Sequence, residues 1–187
     1  MFTRHQLLSF DRRYLPVVLA AAFALVSVLV SPAVAQQTIY VNAATGDDAW
    51  DGLCEAWDGG TCGPKATIQA GIDASVSGDT VIVADGVYAG AGNRNLDFGG
   101  RLITVRSQSG PVQCTIDCEE DLRGFYFHSG ETTEAVVDGF TITRADIDGI
   151  RCSSESGPTI INCIIRDNMG TGINCGTACN ASILQCV

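Results

Sequence analysis

One lysine, Lys65, stands in a chain of 187 residues that carries 21 aspartates and glutamates. Three of the remaining basic residues, Arg4, Arg12 and Arg13, precede the apolar run from Leu15 to Val30, and Ala33-Val34-Ala35 follows it. Positive charge, an apolar core and a small-residue site in that order describe a secretory signal peptide over residues 1–35. The run is short for spanning ~30 Å of hydrocarbon, although a retained single anchor is the alternative reading. Removing residues 1–35 takes away three arginines and Asp11, so the formal charge of −10 becomes −12. So little positive charge excludes nucleic acid, whose affinity rests on Lys and Arg at phosphates. It also disfavours electrostatic capture of acidic polysaccharides and leaves neutral glycans and cation-bridged ligands. No membrane contact is expected after cleavage, and the expected state is a secreted or cell-surface monomer.

Helical patterning is equally scarce. KATIQAGIDAS, residues 65–75, is the one helical stretch, with Thr67 as its N-cap and Ile68, Gly71, Ile72 and Ser75 along one face. Before it lie a first strand, TIYV (38–41), and a Gly/Asp-rich loop over 42–64. After it come only short apolar runs: VIVA (81–84), LITV (102–105), VQCTI (112–116), GFYF (124–127), VVDGFTIT (136–143), GIRC (149–152), TIINCII (159–165), GINC (172–175) and SILQCV (182–187). Many short strands with Gly, Asp, Ser and Asn between them permit a sandwich, a barrel or a solenoid.

A fixed period selects the solenoid. Steps of 23 residues connect Val137, Ile160 and Ile183; Phe140, Cys163 and Cys186; Gly149 and Gly172; Ile150 and Ile173; and Cys152 and Cys175. Such self-similarity marks stacked repeats. One coil of a parallel β-helix needs two or three short strands, so ~20–25 residues suffice, and each coil pairs with the next at ~4.8 Å. Alternation puts Phe125 and Phe127 inside and Tyr126 outside, Phe125 beneath Ile150 and Phe127 beneath Cys152. The expected fold is an all-β, right-handed parallel β-helix over 36–187, with a short N-terminal cap helix plugging the first coil. The last coil stops at Cys186-Val187 without a capping element, which reads as a C-terminal truncation.

YVNAATGDDAWDG, KATIQAGIDAS and GDTVIVADGVY resemble the N-terminal cap and first coils of secreted right-handed parallel β-helix proteins of the pectate-lyase-like superfamily. TIDC…RGFYFHSGE…VVDGFTIT and PTIINCII are similar to its repeat proteins, so the resemblance covers nearly all of 38–187. It implies the fold far more than an activity. Members include pectate, alginate and chondroitin lyases, glycoside hydrolases and proteins without known catalysis. The lyases use a Lys or Arg base, or calcium held by clustered carboxylates. No such constellation is found: Lys65 belongs to the helix start, where solvation is its simplest role, and Arg101, Arg106, Arg123, Arg144, Arg151 and Arg166 are scattered.

The candidate sites carry competing readings. Asp47, Asp51 and Asp58 fall at positions 1, 5 and 12 of a calcium-loop template with Gly52 at position 6, but Ala49 stands where an oxygen ligand belongs. An Asp/Gly turn closed by side-chain-to-backbone bonds is the favoured alternative, and no cofactor is expected beyond that candidate Ca²⁺. All nine cysteines lie after residue 35, and an odd number leaves one unpaired. Cys54 and Cys62 bracket a Gly-rich loop that a disulfide would staple, and Cys114 and Cys118 could staple a corner. Cys152 and Cys175 stack within bridging reach, with Cys179 competing for Cys175. Cys163 and Cys186 read as stacked buried thiols. The acidic run Glu119-Glu120-Asp121 reads as a solvated loop.

The outward column Tyr126, Arg151, Asn174, with His128 beside it, is the leading surface candidate for glycan or protein binding. It mixes an aromatic ring with hydrogen-bond donors on a flat sheet, although an ordinary solvated face is the plainer reading. His128 could serve as a general base if a partner oriented it. The functional expectation is a non-catalytic module presenting that face. The alternative is a polysaccharide lyase or glycoside hydrolase, which carboxylates converging beside Tyr126 and Arg151 would favour.

Overall fold

The computed structural model describes residues 35–187, so all but the last residue of the expected signal peptide lies outside the described residues. Thirteen strands and one helix, α1 (Ile68–Ala74), build three parallel sheets that wind as a solenoid. The first sheet runs β1 (Thr38–Val41), β2 (Thr80–Val83), β4 (Thr104–Ser107), β7 (Val136–Asp138), β10 (Thr159–Ile161), β13 (Ser182–Leu184). The second stacks β3 (Gly86–Tyr88), β5 (Cys114–Asp117), β8 (Thr141–Thr143) and β11 (Ile164–Ile165). The third stacks β6 (Phe125–Phe127), β9 (Asp148–Cys152) and β12 (Thr171–Cys175). Every pairing is parallel, and the 23-residue columns pair in register: Val137 with Ile160, Ile160 with Ile183, Ile150 with Ile173 and Cys152 with Cys175.

PTIINCII shows how one coil turns. Its apolar run is two strands, β10 and β11, broken at Asn162, whose φ of 53° is left-handed. Asn tolerates that region better than other non-glycine residues. Asn162 Nδ2 donates to Asp138 Oδ1 at 2.8 Å, and its backbone N–H donates to the Leu184 carbonyl. Gly139 and Gln185, one period to either side, are also left-handed, at 80° and 52°. VVDGFTIT therefore divides at Gly139 into β7 and β8 rather than running as one strand. Cys163 then turns fully inward, and Phe140 and Cys186 belong to its column. The strand expected at 102–105 runs 104–107, because Thr104 pairs with Thr80, the one expected at 112–116 runs 114–117, and GVY forms the unanticipated β3.

The core is a column of apolar side chains along the solenoid. Phe98 meets Phe127 edge-on at 4.9 Å between centroids, and Phe125 lies between Phe98, Phe127 and Phe140 at 6.1–6.2 Å. A strand two to five residues long cannot bury its inner face alone, so burial at ~25 cal/mol per Å² comes from the coils on either side. Helix α1 begins at Thr67, whose Oγ1 accepts from the Ala70 N–H at 3.3 Å. Its buried face, Ile68, Gly71 and Ile72, packs on β1 and β2. A Cβ on Gly71 would lie 2.6 Å from a Val41 methyl, so this face needs glycine. Lys65 is not solvated as expected: its Nζ donates to the Asp48 carbonyl at 3.0 Å and to the Trp50 carbonyl, tying the preceding loop to the helix start.

Glu131 is a buried carboxylate, 1% exposed, that joins neighbouring coils. It accepts from the Gly100 and Ser129 N–H groups, both at 3.0 Å, and from Ser156 Oγ at 2.8 Å. Burial pushes its carboxyl up, but the hydrogen bonds from backbone and Ser156 outweigh burial and hold it below the usual carboxylate range. A carboxyl lowered on folding stabilises fully above its unfolded pKa, and that stability is lost as pH falls through the folded value. Glu131→Gln is expected to cost about 2 kcal/mol at neutral pH. The gap between wild type and variant should narrow in acid, measured by urea midpoints from pH 7 downward; a constant gap would contradict the assignment.

Candidate functional site

The third sheet assembles the surface candidate from the chain upward. In β6 the inward Phe125 and Phe127 leave Tyr126 outward; its pairing with Arg151, and Arg151's with Asn174, makes the expected column. The structure adds a rung beneath it. Leu96 bridges Phe125, which sets Asn95 and Asp97 beside the Tyr126 strand. His128 Nε2 lies 3.2 Å from Asp97 Oδ2, both groups just over one-third exposed. The partner that His128 lacked is therefore Asp97.

Tyr126 is already flanked. The Arg123 guanidinium sits 4.5 Å from its ring centroid and the His128 ring 4.2 Å. Arg123 donates from NH1 to Asn95 Oδ1 at 3.1 Å, while its buried Nε has no protein partner. Further along the face, Asp148 accepts from Arg151 NH1 at 3.3 Å and from Asn174 Nδ2 at 3.1 Å. Its side chain is only 4% exposed, so this carboxylate orients its two neighbours. The face thus offers polar edges, an imidazole, a guanidinium and an amide, more than an open ring for stacking. Asn95, Asp97, Arg123 and Asp148 join it without any periodic signal in the sequence.

The remaining candidates separate. Asp47, Asp51 and Asp58 do not converge; each accepts from the backbone N–H two residues on, at Ala49, Leu53 and Gly60. These are the turn-closing bonds of the alternative reading, which leave the calcium template unfilled. Cys54 and Cys62 are disulfide-bonded, and Trp50 stacks on Trp57 at 5.6 Å beside them. The staple between Cys114 and Cys118 does not form, and both are buried free thiols. Residues four apart along a strand direction are about 13 Å apart, too far to bond. Burial pushes Cys114, Cys118 and Cys163 up to about 12, which leaves almost no thiolate for reaction. The acidic run is an exposed loop, as expected, and Glu119 and Asp121 pair with Arg94 at its surface.

Cys152 and Cys175 are also free thiols, and Cys179 joins them, with all three Sγ atoms within 4.8 Å of one another. Burial, and then the adjacent thiols, push Cys152 up; Cys175 is shifted the same way. Among the described residues this is the one group of three or more His, Cys, Asp or Glu side chains close enough to share an ion. A groove of about 590 Å³ lies elsewhere, along the Gly139–Asn162–Gln185 corner. Its charged members, Arg106 and Asp138, sit at paired positions on adjacent strands.

Comparison with protein-family models, curated proteins and solved structures finds no match.

Proposed function

We propose that the chain is a secreted or cell-surface, right-handed β-helix module of the pectate-lyase-like kind, whose third sheet binds a glycan through hydrogen bonds without turning it over. The handedness follows the strong preference of parallel crossovers for the right-handed path. Helix α1 caps the first coil, covering an apolar end that would otherwise meet water. The Cys54–Cys62 disulfide suits an exported chain.

One observation carries the binding reading. Asp97, Tyr126, Arg151 and Asn174 fall on successive rungs of one flat face, with His128 beside them. Rungs ~4.8 Å apart present one donor or acceptor per step along the face. Asp148 holds Arg151 and Asn174 in place, so less entropy is lost when a ligand binds. Neutral glycans suit the net charge, and a divalent cation would be needed to bridge acidic ones.

The test is isothermal titration with neutral and uronate-containing oligosaccharides, with and without Ca²⁺. Each of Arg151→Ala and Asn174→Ala should weaken binding about tenfold, the worth of one or two hydrogen bonds. A panel with no binder, or binding indifferent to both variants, overturns the proposal.

The His128–Asp97 pair favours a second reading, a lyase or hydrolase in which the imidazole accepts a proton. Release of unsaturated uronates or reducing ends that His128→Ala abolishes, with binding retained, would decide for it.

A further inference from the structure

We propose that Cys152, Cys175 and Cys179 form a three-thiolate site for one soft cation, Cu(I), at the corner following β9 and β12. The parallel register sets Cys152 directly beside Cys175 on the neighbouring coil. The Gly176 N–H donates to the Cys152 carbonyl at 2.8 Å, and the Cys179 N–H donates to the Gly176 carbonyl at 3.2 Å. With Ala178 left-handed at 63°, this turn brings Cys179 back to the other two sulfurs. The stacking of coils and a tight turn therefore converge three sulfurs from one pair of strand ends.

Distance and ligand number select the ion. Sulfurs about 2.3 Å from a shared metal lie roughly 3.8–4.0 Å from one another. The three Sγ atoms already fall within 4.8 Å, so closing on an ion needs only small side-chain shifts. No fourth histidine, cysteine or carboxylate joins the group among the described residues. Three thiolates complete a trigonal shell for Cu(I), whereas structural Zn²⁺ takes four ligands. A disulfide between any two would leave the third sulfur pressed against the bridge, while a metal uses all three. Cys175 is exposed and gives the ion a way in; Cys152 is the buried floor. Binding exchanges protons for metal: up to three S–H protons pass to solvent, three Cu–S bonds form, and no electron is transferred.

The experiment titrates Cu(I) into the reduced, anaerobic full chain against a chromophoric Cu(I) chelator. One equivalent should be withheld from the chelator, with ultraviolet thiolate-to-copper absorption. Cys175→Ser and Cys179→Ser should each weaken retention about 100-fold, and Cys186→Ser should leave it unchanged. Cys152→Ser removes a buried group, so the exposed Cys175 variant carries the test, and thermal melts of every variant establish that it folds. Overturning results are Cu(I) given up by the wild type, retention by the Cys175 and Cys179 variants equal to that of the wild type, preference for Zn(II), or mass mapping that finds two of the three sulfurs joined before reduction.

Discussion

Phe125→Ala is expected to lower the unfolding free energy by about 3–5 kcal/mol, the range for truncating a buried aromatic. Phe125 is fully buried and touches Phe98, Phe127 and Phe140, which come from different coils. Removing it opens a void that rigid coils on both sides cannot collapse into, since each is held by its own ladder of parallel hydrogen bonds. Urea unfolding should show a lower midpoint with a single transition. Tyr126→Ala, one residue along and facing out, should cost much less. Equal losses at the two positions would mean that the inside and outside of β6 have been assigned wrongly.

A single methyl group should be nearly as damaging where neighbouring coils approach closely. A Cβ on Gly149 would lie 2.6 Å from the Gly172 carbonyl oxygen and 2.7 Å from an Ile165 methyl. Gly124, on the coil before, meets the Gly149 carbonyl and Ile142 in the same way. The carbonyl belongs to the backbone of the adjacent strand β12, so it cannot move aside cheaply, and Gly149→Ala should cost about 3 kcal/mol. Gly172 occupies the same column in the last described coil and would meet only Ile165, at 3.4 Å. Gly172→Ala should therefore stay within about 0.5 kcal/mol of wild type. The same substitution in one column thus separates stacking from helix or strand propensity, because propensity would treat the two glycines alike. Thermal melts of the pair measure the difference.

What could be read from the sequence follows from where the period is regular. From β7 onward every coil repeats at 23 residues, so Val137, Ile160 and Ile183 announced their own stacking, and so did Ile150 with Ile173. Arg151 and Asn174 came out as one outward column for the same reason, and Tyr126, 25 residues before Arg151, joined them through the alternation of Phe125 and Phe127 inside and Tyr126 outside. Earlier coils carry loops of unequal length: Thr38 pairs with Thr80, Thr80 with Thr104 and Thr104 with Val136. Those steps hide the rung of Asn95 and Asp97, which is why His128 had no visible partner. Arg123 reaches the face by folding over Tyr126, and Asp148 by gripping side chains on two strands, neither of which leaves a periodic trace. The calcium template failed on the same ground that makes Asp common in turns: each carboxylate satisfies a backbone N–H two residues away.

The stacking itself is most directly tested by interstrand nuclear Overhauser effects on isotope-labelled protein. Strands ~4.8 Å apart and parallel put the Ile160 and Ile183 methyl groups, and those of Ile150 and Ile173, within observable range, with backbone contacts offset in the parallel pattern. Cross-peaks joining both pairs are the predicted result. Their absence in a folded chain, or an antiparallel pattern of backbone contacts between these strands, would contradict the solenoid and dissolve the face that carries Tyr126, Arg151 and Asn174.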